Sequence, residues 1–429
     1  MTPAFTRLVL VFAALAAIAG DDVTAQRPSV AVQGRANAHP SLAAIGRFAV
    51  LTWSAETTAG GADIFAAVSR DGGRTFGAPV RVNRVAGEAN VSGEQPPRAA
   101  LVPAASGDPV VTVVWTARDT AGTRLMSARS TNGGRSFLTP SPVPGSESPG
   151  NRGWHSIAST RDGDIAAIWL DHRDVPSRGG STAHSGHQHH ATPAAQADGV
   201  ARAQLSQLFF GRVANGNARG IANGVCYCCK TAIATGRGGA IYAAWRHVYP
   251  GNVRDIAFAM SSDGGRTFTP PVRVSDDRWA IDGCPENGPA IATDAAGRIH
   301  LVWPTLVPGR TPSSEPTLGL FHATSRDGRT FSPRQRIPAE GVPRHPQIAI
   351  DSQGNPVVAW DEETREGRRV ALARGTMQGG GTVRFLRERI GGGERGVYPA
   401  IAAAGDGIVL AWTSGQAGQT VIATERLTP

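Results

Sequence analysis

One eight-residue sentence is written repeatedly along the chain, and it restricts the fold more than any other feature. It reads Ser69-Arg70-Asp71-Gly72-Gly73-Arg74-Thr75-Phe76, then Ser130-Thr131-Asn132-Gly133-Gly134-Arg135-Ser136-Phe137, then Ser261-Ser262-Asp263-Gly264-Gly265-Arg266-Thr267-Phe268. Residues 325–331 repeat it with one glycine fewer. Such a segment is a hairpin turn: the Asp or Asn side chain accepts hydrogen bonds from the turn's own amides, glycine takes positive φ, and the closing Phe buries beneath. Each turn belongs to a longer unit, an inner strand, a strand ending in Trp, a polar loop, a third strand, the turn and a fourth strand. The Trp marker occurs at Trp53, Trp115, Trp169, Trp245, Trp303, Trp360 and Trp412, which counts seven units. Buried Trp at one repeated strand end reads as core wedged between neighbouring units.

The last unit ends after its third strand, at 421–424, while segment 29–33 is a strand with nothing before it to pair with. The N-terminal strand therefore closes the last unit and removes both free edges. The expected fold is all-β, a single β-propeller of seven four-stranded antiparallel blades, with six blades plus an accessory sheet as the alternative. The third unit has lost its turn and gained a histidine-rich loop over 175–204, carrying His184, His187, His189 and His190.

The turn resembles the Asp-box, or BNR repeat, of the sialidase superfamily of β-propellers. In that family the box lies on the outer turn of the blade, away from the ligand face, so the resemblance implies fold more than activity. Sialidases carry an early F-R-I-P motif whose arginine opens a carboxylate-binding triad; here the equivalent slot holds Ala38-His39-Pro40. Tyr398, in Gly396-Val397-Tyr398-Pro399, resembles the family's nucleophile position.

Residues 8–18 form an apolar run behind Arg7, too short to span a bilayer and followed by small residues. Residues 1–25 are therefore expected to be a secretory signal peptide, and 26–429 an exported, secreted or periplasmic domain without membrane insertion, monomeric by default. The net charge of +9 comes from arginines spread through every unit, with no basic block and no aromatic ladder, so a nucleic-acid partner is not expected. Lys230 is the one lysine in the chain.

In a propeller, the loops entering the inner strands and those leaving the Trp strands share one face, around the channel mouth. Three sets of residues gather there. His39, His155 and His345 stand in equivalent slots of three units, and Cys226, Cys228, Cys229 and Cys284 fall in two adjacent units; together they are the candidate ligands of copper or zinc. The alternative for the cysteines is structural disulfides, most simply one from the Cys226 cluster to Cys284. Arg98, Arg246, Arg344 and His247 are candidates for an anionic ligand. Tyr398, Lys230, Asp171 and Glu286 are the candidate catalytic groups if the protein is an enzyme, either a sialidase-like exo-glycosidase on acidic sugars or a metal-dependent enzyme. The leading expectation is a propeller binding a transition metal or an anionic ligand at the mouth, with a small-molecule, metal or glycan partner. A non-catalytic interaction scaffold is the remaining reading.

Overall fold

The computed structural model describes residues 28–58, 60–176, 200–214, 216–281, 285–308, 315–378 and 382–428. The expected segment 1–25, most of the histidine-rich loop and Cys284 lie outside the described residues.

Seven four-stranded antiparallel sheets follow one another along the chain. Blade 1 holds β2 (Ala36–Ile45), β3 (Phe48–Glu56), β4 (Ala62–Ser69) and β5 (Val80–Arg81). Blade 2 holds β6 (Arg98–Val102), β7 (Val110–Asp119), β8 (Gly122–Ser130) and β9 (Ser141–Pro142). Blade 3 holds β10 (Arg152–Ser159), β11 (Ile165–Asp171), β12 (Gln207–Arg212) and β13 (Arg219–Asn223). Blade 4 is β14 (Ala232–Thr235), β15 (Ile241–Arg246), β16 (Ile256–Ser261) and β17 (Val272–Arg273). Blade 5 is β18 (Ala290–Thr293), β19 (Ile299–Val307), β20 (Thr317–Ser325) and β21 (Gln335–Ile337). Blade 6 is β22 (Val342–Ile350), β23 (Pro356–Thr364), β24 (Gly367–Met377) and β25 (Val383–Glu388). Blade 7 has β26 (Gly396–Ala404), β27 (Gly407–Ser414) and β28 (Val421–Leu427) from the C-terminal end, and its fourth strand is β1 (Ser29–Val30). Ser29 pairs with Ala423 and Val30 with Ile422, so the N-terminal strand closes the ring as the sequence requires. No described helix is long and apolar enough to cross a membrane.

The seven marker tryptophans are at most 1% exposed. Each packs with the preceding blade: Trp115 with Val50, Ile64 and Ala66 of blade 1, Trp245 with Ile168 and Phe210 of blade 3, Trp53 with Ala411 and Ile422 of blade 7. An indole removes about 150–250 Å² from water, roughly 4–6 kcal/mol each as an upper figure. The Trp repeat is thus the adhesive between blades.

The box turns close by the chemistry expected of them. Asp71 Oδ1 accepts from the amides of Arg74 (2.9 Å) and Thr75 (3.0 Å), and its Oδ2 from the Thr75 hydroxyl (2.6 Å). Ser69 Oγ accepts the Gly73 amide at 2.8 Å. Asn132, Asp263 and Asp327 repeat the arrangement. The second glycine of each full box has φ of +80° to +89° and presses on the previous blade. A Cβ on Gly73 would stand 2.1 Å from Val409 of blade 7, and one on Gly265 2.2 Å from Phe210 of blade 3.

Candidate functional site

Register locates the mouth residue by residue. In every blade one inner-strand residue pairs with the residue before the marker Trp: Ser41, Arg98, Ser156, Ala232, Ala290, Gln347 and Ala400. Two positions earlier stand His39, Pro96, Trp154, Lys230, Gly288, His345 and Tyr398. In blades 1, 3, 6 and 7 a bulge interrupts the pairing here, and His39, Trp154, His345 and Tyr398 all adopt φ between +50° and +57°. Left-handed backbone at a non-glycine residue costs about 1–3 kcal/mol and collects at functional sites.

This register corrects one expectation. His155 is not the counterpart of His39 and His345; Trp154 is, because both histidines precede a proline whose place His155 itself occupies. His155 is fully buried and donates from Nε2 to Val114 O at 3.0 Å. Burial and then the Arg98 charge lower its pKa to about 3, so it is neutral packing.

Around Tyr398 the slot residues assemble. Its ring lies 5.2 Å from His39 and 4.8 Å from His345, with the Arg368 guanidinium 5.4 Å from its centre. His345 donates from Nδ1 to Asp361 Oδ1 at 2.8 Å, and the same oxygen accepts the Tyr398 amide at 3.2 Å. Arg368 pairs with Asp361 Oδ2. Burial raises the Asp361 pKa, but His345 and Arg368 outweigh it and keep the carboxyl ionised. His39 bonds through Nδ1 to Ser54 Oγ at 3.1 Å, and burial followed by the nearby His345 lowers its pKa to about 4. Asp361 and Ser54 each directly follow the marker Trp of their blade, so one structural slot anchors both imidazoles.

Across the mouth runs the segment leading to β6. Glu94, 3% exposed, accepts with Oε2 the amides of Lys230 and Gly288, each at 2.8 Å, while its Oε1 has no partner. Gly93 lies against the Tyr398 ring; a Cβ there would come within 1.9 Å of Cε1. Below is a cavity of about 130 Å³ lined by Arg98, Lys230, Ser41, Ser156, Thr231 and Gln347 among others. Arg98 Nε is buried without a partner, and burial, against the opposing Glu94 charge, lowers the guanidinium pKa to about 10. Lys230 is 2% exposed and donates to Pro346 O; burial, partly offset by Glu94, lowers its pKa to about 8.

Several expected site residues are committed elsewhere. Asp171 accepts from Trp169 Nε1 (3.0 Å), Arg152 and Arg173. Glu362 does the same for Trp360, also two residues past its marker, so Asp171 is a structural acceptor with no free lone pair for acid catalysis. Arg246 spends its donors on the carbonyls of Asn287, Arg254 and Pro304. His247 accepts from Trp245 Nε1 at 3.4 Å and packs on Tyr249. Arg344 reaches Glu363 at 3.9 Å, and Glu286 is exposed.

The histidines and cysteines do not form one donor set. Among the described residues, the group able to hold a metal ion is Cys226, Cys228 and Cys229, buried, with sulfurs within 4.8 Å of one another. Cys226 and Cys229 are free thiols with Sγ atoms 3.5 Å apart, whereas Cys228 is disulfide-bonded. Arg254 donates to Cys226 Sγ at 3.2 Å. Burial pushes the Cys226 thiol up, but the Cys229 S–H and Arg254 outweigh it and bring the pKa down to about 6. Burial and the neighbouring Cys226 raise that of Cys229.

Arg254, Glu94 and Arg368 were absent from the sequence-based candidates. Asp361 carried a signal, its place directly after Trp360; Glu94 acts across blade boundaries and Arg254 bonds a cysteine 28 residues away, and neither leaves one.

No family model and no curated protein matches the sequence. Solved structures do. An ulvan lyase of a polysaccharide lyase family, bound to a glucuronate–rhamnose-3-sulfate ligand, aligns with TM-score 0.54 at 10% identity over 94% of each chain. The α-L-arabinofuranosidase of Fusarium graminearum with an iminosugar inhibitor aligns at 0.51 and 10% identity, over 92% of this chain and 93% of its own. A Hadza microbial sialidase aligns at 0.47 and 14% identity, over 86% and 74%. The chain is similar in fold to the ulvan lyase and the arabinofuranosidase.

Proposed function

We propose that the channel mouth takes an acidic saccharide and that the group around Tyr398 moves protons on it, in a β-elimination. The observation that carries this reading is Tyr398 held between two imidazoles beside the Arg368 guanidinium, with His345 fixed by Asp361. Elimination from a uronate needs a cation at the carboxylate, a base for the adjacent C–H and an acid for the departing oxygen. His345, donating its Nδ1–H to Asp361 as a hydrogen bond, presents Nε2 as acceptor; the Tyr398 hydroxyl can protonate the leaving oxygen; Arg368 and Arg98 supply positive charge. Hydrolysis by a pair of carboxylates fits less well, since both oxygens of Asp361 are already engaged. The ulvan lyase sharing the fold is bound to a glucuronate-containing ligand, which agrees in substrate class. Export by way of residues 1–25 belongs to the same proposal, because polymeric substrates lie outside the cell.

The test is incubation of the purified chain with a panel of uronate polysaccharides and sialosides, following the ultraviolet absorbance of unsaturated uronate. We expect absorbance to grow and Tyr398→Phe to abolish it while the fold persists. Sugar release without absorbance would replace elimination by hydrolysis, and neither binding nor turnover across the panel would remove the saccharide reading.

A second reading has its own observation. The two free thiols of the buried sulfur group, Cys226 and Cys229, favour a soft metal, copper or zinc, in a site beside the mouth and separate from Tyr398.

A further inference from the structure

The sulfur group carries a finer statement about which ion it takes, and this rests on the soft-metal reading above. Three features decide it. The free thiols are two, Cys226 and Cys229, since Cys228 is already disulfide-bonded. Among the described residues no histidine or carboxylate joins the sulfur group, so a zinc ion, which closes a structural site with four ligands, would find two. The third feature is charge. Arg254 and Arg246 are each 1% exposed, and neither pairs with a carboxylate among the described residues. Arg246 satisfies its donors with backbone carbonyls and stacks on Trp279 at 4.7 Å. Arg254 bonds Asn252 Oδ1 and Cys226 Sγ, so its anionic partner is sulfur.

We propose that Cys226 and Cys229 together bind a single monovalent soft cation, copper(I), as a two-thiolate site whose residual negative charge is matched by Arg254. Two thiolates and a monovalent ion leave one negative charge beside the guanidinium. A divalent ion would cancel the thiolates and leave two buried arginines facing a neutral centre, a costly arrangement in a dry interior. Thiolate sulfur is also the ligand class that copper(I) prefers. The Cys229 thiol proton, and any proton still on Cys226, leave as the ion enters, and no electron is transferred. Ala203, Val248, Tyr227 and Trp154 pack around the sulfurs and keep the site from bulk water.

The experiment uses the full chain, purified without a histidine tag and kept anaerobic. It is titrated with copper(I) against a chromogenic copper(I) chelator, and separately with zinc(II). We expect one copper(I) per chain, sulfur as the nearest neighbour in X-ray absorption, loss of binding in Cys226→Ser and in Cys229→Ser, and retention in His345→Ala. Arg254→Gln should weaken copper(I) by roughly 10–100-fold, as loss of a partner hydrogen-bonded to a ligand does. The absorption spectrum of the unaltered protein decides the matter even if a serine variant fails to fold. Zinc held as tightly through the same cysteines would overturn the monovalent assignment while leaving a metal site. Copper with nitrogen neighbours, surviving Cys226→Ser, would place the ion on histidines and overturn it. No uptake of either ion would remove the soft-metal reading as well.

Discussion

At the end of the blade that carries the box, blades 1, 2, 4 and 5 repeat one chemistry: a Ser hydroxyl and an Asp or Asn side chain satisfy the turn's own amides. At the opposite end the backbone repeats almost as faithfully, yet its slot holds His39, Pro96, Trp154, Lys230, Gly288, His345 and Tyr398. The box side chains serve the turn they belong to. Mouth side chains also serve other blades: Glu94 reaches from the segment before blade 2 to the amides entering blades 4 and 5, and Asp361 of blade 6 holds the Tyr398 amide of blade 7. Local satisfaction makes a repeat; mutual dependence among unlike residues makes a site.

Acid should separate the two ends, with the largest effect expected at the histidines. His39 and His155 are held neutral, with pKa values of about 4 and 3 against 6.5 unfolded, mainly by burial. A depressed histidine pKa means the unfolded chain binds more protons, so stability is present above pH 6.5 and is lost as pH falls towards the folded values. The box carboxylates behave otherwise. Their turn hydrogen bonds, with Thr267 first for Asp263 and the Thr330 amide first for Asp327, hold them below the usual carboxylate range. Their contribution persists down to about pH 4 and is lost only beneath it. Urea unfolding at pH 8, 5 and 3 should therefore show a loss of several kcal/mol by pH 5, ahead of any contribution from the boxes. Equal stability at pH 8 and 5 would mean that the buried imidazoles are hydrated, contrary to their packing.

Next in size is the removal of the anion that joins the mouth residues. Asp361→Ala leaves His345, Arg368 and the Tyr398 amide without their acceptor in a buried setting, and should cost about 3–5 kcal/mol. Chemical denaturation measures it. A loss no larger than a surface substitution would show that the group is held by packing alone and that the contrast between the two ends has been overdrawn.

How much of this was legible depends on the range of each interaction. The box, the Trp marker and the spare N-terminal strand are local patterns with one physical solution, and blade count, closure and the orphaned third unit followed from them. Tyr398, His39 and His345 could be placed because their slots sit beside prolines and Trp strands. His155 was misplaced by one residue because the turn joining the inner and Trp strands differs in length between blades: Ser156 stands 13 residues before Trp169, but Ser41 only 12 before Trp53. Asp171 read as an acid because its partners Arg152, Arg173 and the Trp169 indole are assembled only by folding. The pairing of Arg254 with Cys226 spans 28 residues and no repeat predicts it.

The smallest effects come from adding one carbon at each end. Gly73→Ala meets Val409 at 2.1 Å with φ at +83°, a strained backbone as well as a clash between blades 1 and 7. It should lower stability by about 1–3 kcal/mol and leave the mouth's ligand binding intact. Gly93→Ala meets Cε1 of Tyr398 at 1.9 Å, but Gly93 is absent from the positive-φ residues and its neighbour is a side chain that can turn. Its cost in stability should be the smaller, because the ring can swing towards His39 or His345; that movement displaces the one hydroxyl on which the elimination depends. Unfolding free energy and turnover measured on both variants therefore form a crossed pair, stability lost at the box and activity lost at the mouth. Should Gly93→Ala keep full turnover, Tyr398 is not held in place by this segment, and the segment before β6 only closes the channel.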